Sequence, residues 1–123
     1  MKIGTFSLAG LALALFAAPA AAHHSFAMFD PEKTIELQGT VKELQLINPH
    51  SWLQVMVTDA KGQTKEWSIE MRAVGGLTRA GWNAKTVVPG DKVTVTAHPL
   101  RDGTEGGQFL HIVLPNGQKL TER

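Results

Sequence analysis

The stretch that decides the fold is TIELQGTVKELQLI, residues 34–47. Apolar residues occupy every second position as far as Val41, and the alternation resumes out of phase at Leu44. A period of two is typical of a β-strand with one buried face. The change of phase, together with Gly39 inside the run, predicts a long first strand that bends or bulges.

Four further strands are predicted downstream by the same alternation. Residues 51–59 and 64–71 form a hairpin around a short turn that contains Gly62. Residues 92–98 and 108–114 supply the fourth and fifth strands. The chain then passes through a PNG turn into a tail that is polar, for which no strand is predicted.

One short helix interrupts this pattern. Residues 77–80 are predicted to be helical, and nearby glycines at 75, 76 and 81 limit the helix length. Five strands with a helix between the third and the fourth is the order of the OB-fold. The sequence therefore predicts an all-β protein with one short helix, a small five-stranded OB-fold-like barrel. A small sandwich or meander of similar strands is the alternative.

The first 22 residues have the layout of a signal peptide. Lys2 is followed by an uncharged run that is strongly apolar at 11–16, and Pro19 stands before three alanines. The apolar run is shorter than the roughly 20 residues needed to span a bilayer. We expect cleavage after Ala22, or failing that after Ala20, and hence a periplasmic or secreted protein with no membrane span once the leader is removed.

Composition limits the remaining chain to one domain. A start at His23 leaves 123 − 22 = 101 residues, predicted to form a single barrel domain over 23–123. Removing Lys2 from 12 basic residues leaves 11, which the 11 acidic residues balance, so no basic excess points to nucleic acid. The chain has no cysteine, which excludes disulfides, thiolate metal sites and thiol catalysis.

Two histidines stand directly behind the predicted cleavage site. If the chain is cut after Ala22, the α-amine and the ring Nδ1 of His23 can chelate one metal ion, and a second histidine completes a three-nitrogen site. Nitrogen donors in a planar array suit Cu(II). A cut after Ala20 gives Ala21-Ala22-His23, which also binds Cu(II). Zinc is possible, although no recognised zinc-ligand spacing is present.

Two more histidines fall in the loops that flank the binding side of an OB-fold. His50 lies between the first two strands and His98 ends the fourth, so we expect them to be neighbours. With His23 and His24 they form a candidate metal site, which predicts a periplasmic copper carrier or buffer. The opposing interpretation is that His23 and His24 belong to a solvated, frayed start. His111 faces the other way and is read as a strand-face histidine.

A metal-free binding module is the second hypothesis. Trp52, Arg101 and the loops would then bind a small anionic or sugar-like ligand, or a partner protein such as another periplasmic protein. Glu70, near the end of the third strand, is a candidate for orienting a histidine. An enzyme is the least favoured class, because an oxidase-type activity at an open copper site would need a substrate that nothing in the sequence identifies.

Several motifs together resemble an uncharacterised family of small exported bacterial proteins, domain of unknown function 6152. The resemblance covers essentially the whole chain after the leader. It implies export and a small β-rich domain, and it implies no established activity. The motifs are HHSFAMFD (23–30), GTVKELQLINPHSWL (39–53), WSIEM (67–71), LTRAGW (77–82), PGDKVTVTAHPLRDG (89–103) and LPNGQKL (114–120).

Overall fold

The structure, a computed structural model, describes residues 26–123. The predicted signal peptide, His23 and His24 therefore lie outside the described residues. None of the helices within residues 26–123 is long and apolar enough to cross a membrane. In chain order the elements are a 3-10 helix (Phe26–Met28), β1 (Ile35–Gln45), β2 (Trp52–Thr58), β3 (Thr64–Glu70), α1 (Val74–Arg79), β4 (Lys92–Pro99), β5 (Gly106–Val113) and β6 (Lys119–Thr121).

The strands form one sheet that closes on itself. Hydrogen-bonded neighbours follow the order β3-β2-β1-β4-β5-β6, and β3 also pairs with β5. The β3–β5 pairing is parallel over Ser68–Glu70, whereas the other pairs are antiparallel. The predicted five-stranded OB-like barrel with one short helix is confirmed.

The first strand is shared between two neighbours. Its first half pairs with β4 and its second half with β2, and both pairings include Gly39 and Thr40. The register shifts between Val41 and Glu43, which confirms the bulge predicted from the change of phase. A Cβ atom on Gly39 would lie 2.5 Å from the backbone oxygen of Met56. Only glycine allows the two backbones to approach this closely at the bend.

The core fills the inside of the barrel with apolar side chains from the strands. Leu53, Val55, Ile69, Val95 and Ile112 are completely buried. The segment between β3 and β4 adds Leu77 and Trp82, and the Trp82 ring meets the Phe109 ring edge to face with centroids 5.6 Å apart. Thus the helical segment closes one end of the barrel with apolar side chains.

Two details of the prediction were wrong. The helix begins at Val74 rather than Leu77, because the Val74 amide donates to Ile47 O and the Thr78 hydroxyl donates to Val74 O. The polar tail is not strandless, since β6 pairs with β5 through Leu120 opposite Ile112. In both cases tertiary contacts outweigh local composition.

Replacement of Gly39 by alanine tests the role of the bend. The added methyl group would meet backbone atoms that cannot rotate away, so we expect Gly39→Ala to lower the free energy of unfolding by about 1–3 kcal/mol or more. Gly75→Ala is the matched control, because its Cβ would meet only a flexible arginine end at 3.5 Å. Urea titration measures both, and equal stability of the two variants would contradict the proposed constraint.

Candidate functional site

Four polar or amphipathic side chains stand in one row across neighbouring strands. Trp52 of β2 is opposite Glu70 of β3, Glu70 is opposite Gln108 of β5, and Gln108 is opposite His98 of β4. Each is next in sequence to a residue that faces the core, so the row lies on the outer surface of the barrel. The β3–β5 closure therefore brings together residues from four separate parts of the chain.

A cleft of about 290 Å³ opens at the middle of this row. Its walls come from the loop between β1 and β2, the chain that leaves β3, and the C-terminal tail. Met71 and Ala73 contribute apolar surface, and the remaining lining residues are Pro49, His50, Glu70, Arg72, Gln108 and Glu122. We call this the closure cleft.

His50 and Glu70 form an ion-pairing contact in the closure cleft. The His50 Nδ1 atom lies 3.2 Å from Glu70 Oε1 and 3.4 Å from the backbone oxygen of Met71. The Met71 oxygen can only accept a hydrogen bond, and the same is true of the Glu70 carboxylate in its ionised form. In this arrangement Nδ1 therefore carries a proton. The Glu70 side chain is 11% exposed, which makes it the most buried carboxylate in the cleft. The prediction that Glu70 orients a histidine agrees with this placement.

The backbone around Ser51 holds His50 in position. Ser51 is completely buried, and its hydroxyl group exchanges hydrogen bonds with the amide and the carbonyl of Ile47. Its own amide donates to Arg72 O, and its carbonyl accepts from the Met71 amide. The loop between β1 and β2 is thus fixed at both ends of the Asn48–His50 segment.

The C-terminal tail forms the far wall of the closure cleft. Trp82 Nε1 donates to Thr121 O at 2.8 Å, and the Arg72 amide donates to Glu122 Oε2 at 2.9 Å. The Arg72 guanidinium also donates to Glu122 O. Burial raises the pKa of Glu122, although the Arg72 amide and the charges of Arg72, Arg123 and His50 act in the opposite direction.

The first described residues dock at the His98 end of the row. We call residues 26–30 the N-terminal arm. Phe29 forms a β-bridge with Leu100, Asp30 donates its amide to Pro99 O, and Arg101 donates its amide to Met28 O. Phe29 is buried, with 5% of its surface exposed. The arm is therefore attached to the chain that follows β4.

Arg101 and Asp30 complete this attachment. Arg101 Nε donates to Ala27 O at 3.0 Å, and its guanidinium lies 3.9 Å from Asp30 Oδ1. Burial raises the pKa of Asp30, but hydrogen bonds from the Glu32 amide and Lys33 and the charge of Arg101 outweigh it, so the pKa is lowered. The ionised form of Asp30 is accordingly the form that the folded arm favours.

His98, near the end of β4, contacts the chain between the arm and β1. Its Nδ1 atom is 2.7 Å from the backbone oxygen of Lys33. A carbonyl oxygen only accepts, so Nδ1 is the protonated nitrogen, and a neutral ring carries its lone pair on Nε2. This tautomer, with Nδ1 bonded to a backbone carbonyl, is the usual one for a histidine that ligates through Nε2.

The structure separates some of the predicted site residues. Gln108 stands between His50 and His98, so the two lie at opposite sides of β5 rather than side by side. Trp52 is half-buried beside Glu70, and Arg101 belongs to the arm attachment rather than to the closure cleft. Within residues 26–123 no group of three histidine or carboxylate side chains could hold a metal ion.

A larger groove, about 600 Å³, lies elsewhere on the barrel. Its lining includes Gln38, Thr40, Met56, Lys92 and Thr94 on the outer faces of β1, β2 and β4. None of the residues predicted to bind a ligand or metal is part of it. Size alone therefore does not make it the better candidate.

Sequence reasoning missed three residues of this region. Gln108 was treated only as the start of a strand, Glu122 as part of a polar tail, and Asp30 was given no role. Each acquires its place through a long-range pairing, namely β3 with β5, β5 with β6, and the arm with β4. No local pattern in the sequence marks these pairings.

Fold and site together define a small OB-like β-barrel domain with a polar cleft at its closure and a docked N-terminal arm. The chain belongs to a family of unknown function, DUF6152, whose sequence model matches residues 11–109. No curated protein matches the chain. Among solved structures it is similar to the crystal structure of Rim1, a mitochondrial single-stranded DNA binding protein from S. cerevisiae. The identity is 16%, the TM-score is 0.49, and the match covers 68% of this chain and 94% of that one.

The arm attachment predicts a specific effect of Asp30. Because Asp30 is stabilised in its ionised form, Asp30→Asn should loosen the arm. The stabilisation of the folded arm by Asp30 is fully present above the ordinary aspartate pKa, and it is lost as the pH falls through the lowered pKa of Asp30. We expect faster hydrogen exchange of the Asp30 and Arg101 amides in the variant at neutral pH, with little change in the β2–β3 amides.

Asp102→Asn is the matched control for that measurement. Asp102 lies next to Arg101, but its side chain bonds Thr104, which lowers its pKa without involving the arm. The control should leave exchange at Asp30 unchanged. An identical response of the two variants would show that the Asp30 carboxylate does not hold the arm.

Proposed function

We propose that the protein is a small exported protein that binds a metal ion, with copper as the expected metal, and acts as a carrier or buffer. The ligands would be the α-amine and Nδ1 of His23 together with a ring nitrogen of His98. The observation that carries the proposal is the docking of the arm against the chain after β4.

Chain length supports the pairing of His23 with His98. His23 comes only four positions before Ala27, whose carbonyl accepts a hydrogen bond from the Arg101 guanidinium. Four extended residues span at most about 14 Å. His98 lies three positions before Arg101, and the Asp30 amide bonds the residue next to it. For this reason we propose His98, rather than His50, as the partner of His23.

The state of the His98 ring is a second support. With Nδ1 bonded to Lys33 O, the ring is oriented by the same chain segment that leads to the arm. Neutral imidazole and amine nitrogens are donors that Cu(II) binds more tightly than the other first-row divalent ions. If cleavage follows Ala20 instead, Ala21-Ala22-His23 supplies its own nitrogen donors, and zinc remains a possible occupant through imidazole donors.

Titration calorimetry with Cu(II) tests this proposal. A protein that begins at His23 should bind at least about tenfold more tightly than one that retains Ala22, because the extra residue destroys the chelate ring. His98→Gln should weaken binding by a comparable factor. His111→Gln is the matched control. His111 lies on β5, opposite Thr121 of β6, and it is not part of the arm attachment. Burial and the charge of Lys119 lower the pKa of its ring.

The outcome that would contradict the proposal is equal, weak binding by the two amino termini. His50→Gln separates the two loop histidines: a loss with this variant and none with His98→Gln would move the third ligand to His50. Mass spectrometry of the exported protein would establish whether His23 is the first residue.

A metal-free binding module is the second candidate function, and the closure cleft favours it. The cleft combines a buried carboxylate, an amide and apolar walls, which is the usual composition of a small-molecule site. Tryptophan fluorescence separates the two functions, since a module of this kind would respond to organic ligands and not to micromolar metal.

A further inference from the structure

We infer that the closure cleft binds a small organic cation, a ligand with an ammonium group on a short apolar body. The inference concerns a different part of the barrel from the proposed His23–His98 metal site. It rests on the charge, the hydrogen-bonding capacity and the apolar walls of one cavity.

The floor of the cleft offers hydrogen-bond acceptors to a donor. The Glu70 carboxylate is almost buried, and His50 Nδ1 occupies one side of Oε1. An ionised carboxylate has about four lone-pair positions. Beside it, the side-chain amide of Gln108 lines the same cleft and brings a further acceptor oxygen. An ammonium group has three donors and no acceptor, which matches such a floor.

The charges around the cleft also favour a cation. The cleft is lined by two carboxylates, those of Glu70 and Glu122, by one guanidinium, that of Arg72, and by the His50 ring beside Glu70. The guanidinium donates to Glu122 O and lies against Gly76 of α1, where its Nε is 3.2 Å from the position a Cβ would take. Burial raises the pKa of Glu122, and the charges of Arg72, Arg123 and His50 act in the opposite direction. A bound cation would act in the same direction as these charges.

The walls indicate an organic cation rather than a bare metal ion. Pro49, Met71 and Ala73 present apolar surface to the same space. A volume of about 290 Å³ is at the lower end of the range for small-molecule sites. The described residues contain no cluster of three metal ligands. A short aliphatic chain would cover the apolar wall while its ammonium group reaches Glu70.

An anionic ligand does not fit this cavity. Arg101, the cation that was predicted to contact an anionic ligand, is attached to the N-terminal arm and does not line the cleft. The Arg72 guanidinium does line the cleft, but it already donates to Glu122 O. An anion in the cleft would lie beside the buried Glu70 carboxylate, and the repulsion between like charges is strong where water is excluded.

Three probes of equal chain length test the inference: n-butylammonium, 1-butanol and n-butyrate. Each is titrated into the protein in the presence of a metal chelator, and binding is followed by NMR shifts of the Gln108 side-chain amide and the His50 ring. We expect butylammonium alone to shift these signals in a saturable way. Butyrate binding, or no saturable shift with butylammonium, would overturn the inference.

Charge-neutral variants locate the binding. Glu70→Gln should weaken butylammonium binding by about tenfold or more. Glu122→Gln should also weaken butylammonium binding, and its side chain keeps an oxygen acceptor for the Arg72 amide. This second variant tests the inference even if Glu70→Gln fails to fold. Glu66→Gln is the matched control, because Glu66 is on the same strand but pairs with Lys42 outside the cleft. Unchanged affinity in both cleft variants would refute the inference.

These experiments separate the cleft from the metal proposal. Removal of the His23 amine chelate would abolish tight copper binding and leave butylammonium binding intact. Loss of the Glu70 charge would have the opposite effect. The two proposals therefore fail independently.

Discussion

The close approach of the β1 backbone to Met56 O is the constraint on which the barrel depends. Gly39 lies where the pairing of β1 changes from β4 to β2. A Cβ atom at this position would lie only 2.5 Å from Met56 O, so no side chain fits there. A strand that could not bend at this point would pair with β2 or with β4 along its length. The sheet would then stay open, with the edges of β3 and β5 unpaired.

Closure has a second tight approach at the start of β5. A Cβ on Gly107 would lie 2.9 Å from His98 O, at the point where β5 meets β4 on one side and β3 on the other. This contact is what aligns Glu70, Gln108 and His98 in adjacent strands. The polar row on the outer surface is thus a consequence of the geometry that completes the barrel. The closure cleft lies at the middle of the row, and the arm attachment lies at its His98 end.

Alternation of side chains was enough to predict the strands, because burial inside the barrel imposes a period of two on every one of them. The bulge after Val41 was also visible, since a bulge changes the phase of that alternation. β6 was not visible, because three residues, Lys119–Thr121, are too few to show a period. For the same reason Glu122 could not be placed in a site. Arg101 was predicted to contact an anionic ligand, but its partners in the structure are a backbone carbonyl and Asp30 of the arm, which local sequence does not reveal.

The two loop histidines differ in the group that their Nδ1 atoms face. His98 Nδ1 donates to the backbone carbonyl of Lys33, an uncharged acceptor, and its Nε2 is then the nitrogen that can ligate a metal ion. His50 Nδ1 faces the carboxylate of Glu70 and the backbone oxygen of Met71 in the closure cleft. A metal ion needs a ring nitrogen that carries no proton. The partners of the two rings are therefore the physical reason for assigning the proposed metal to His98 and for treating His50 as part of a cleft governed by charge.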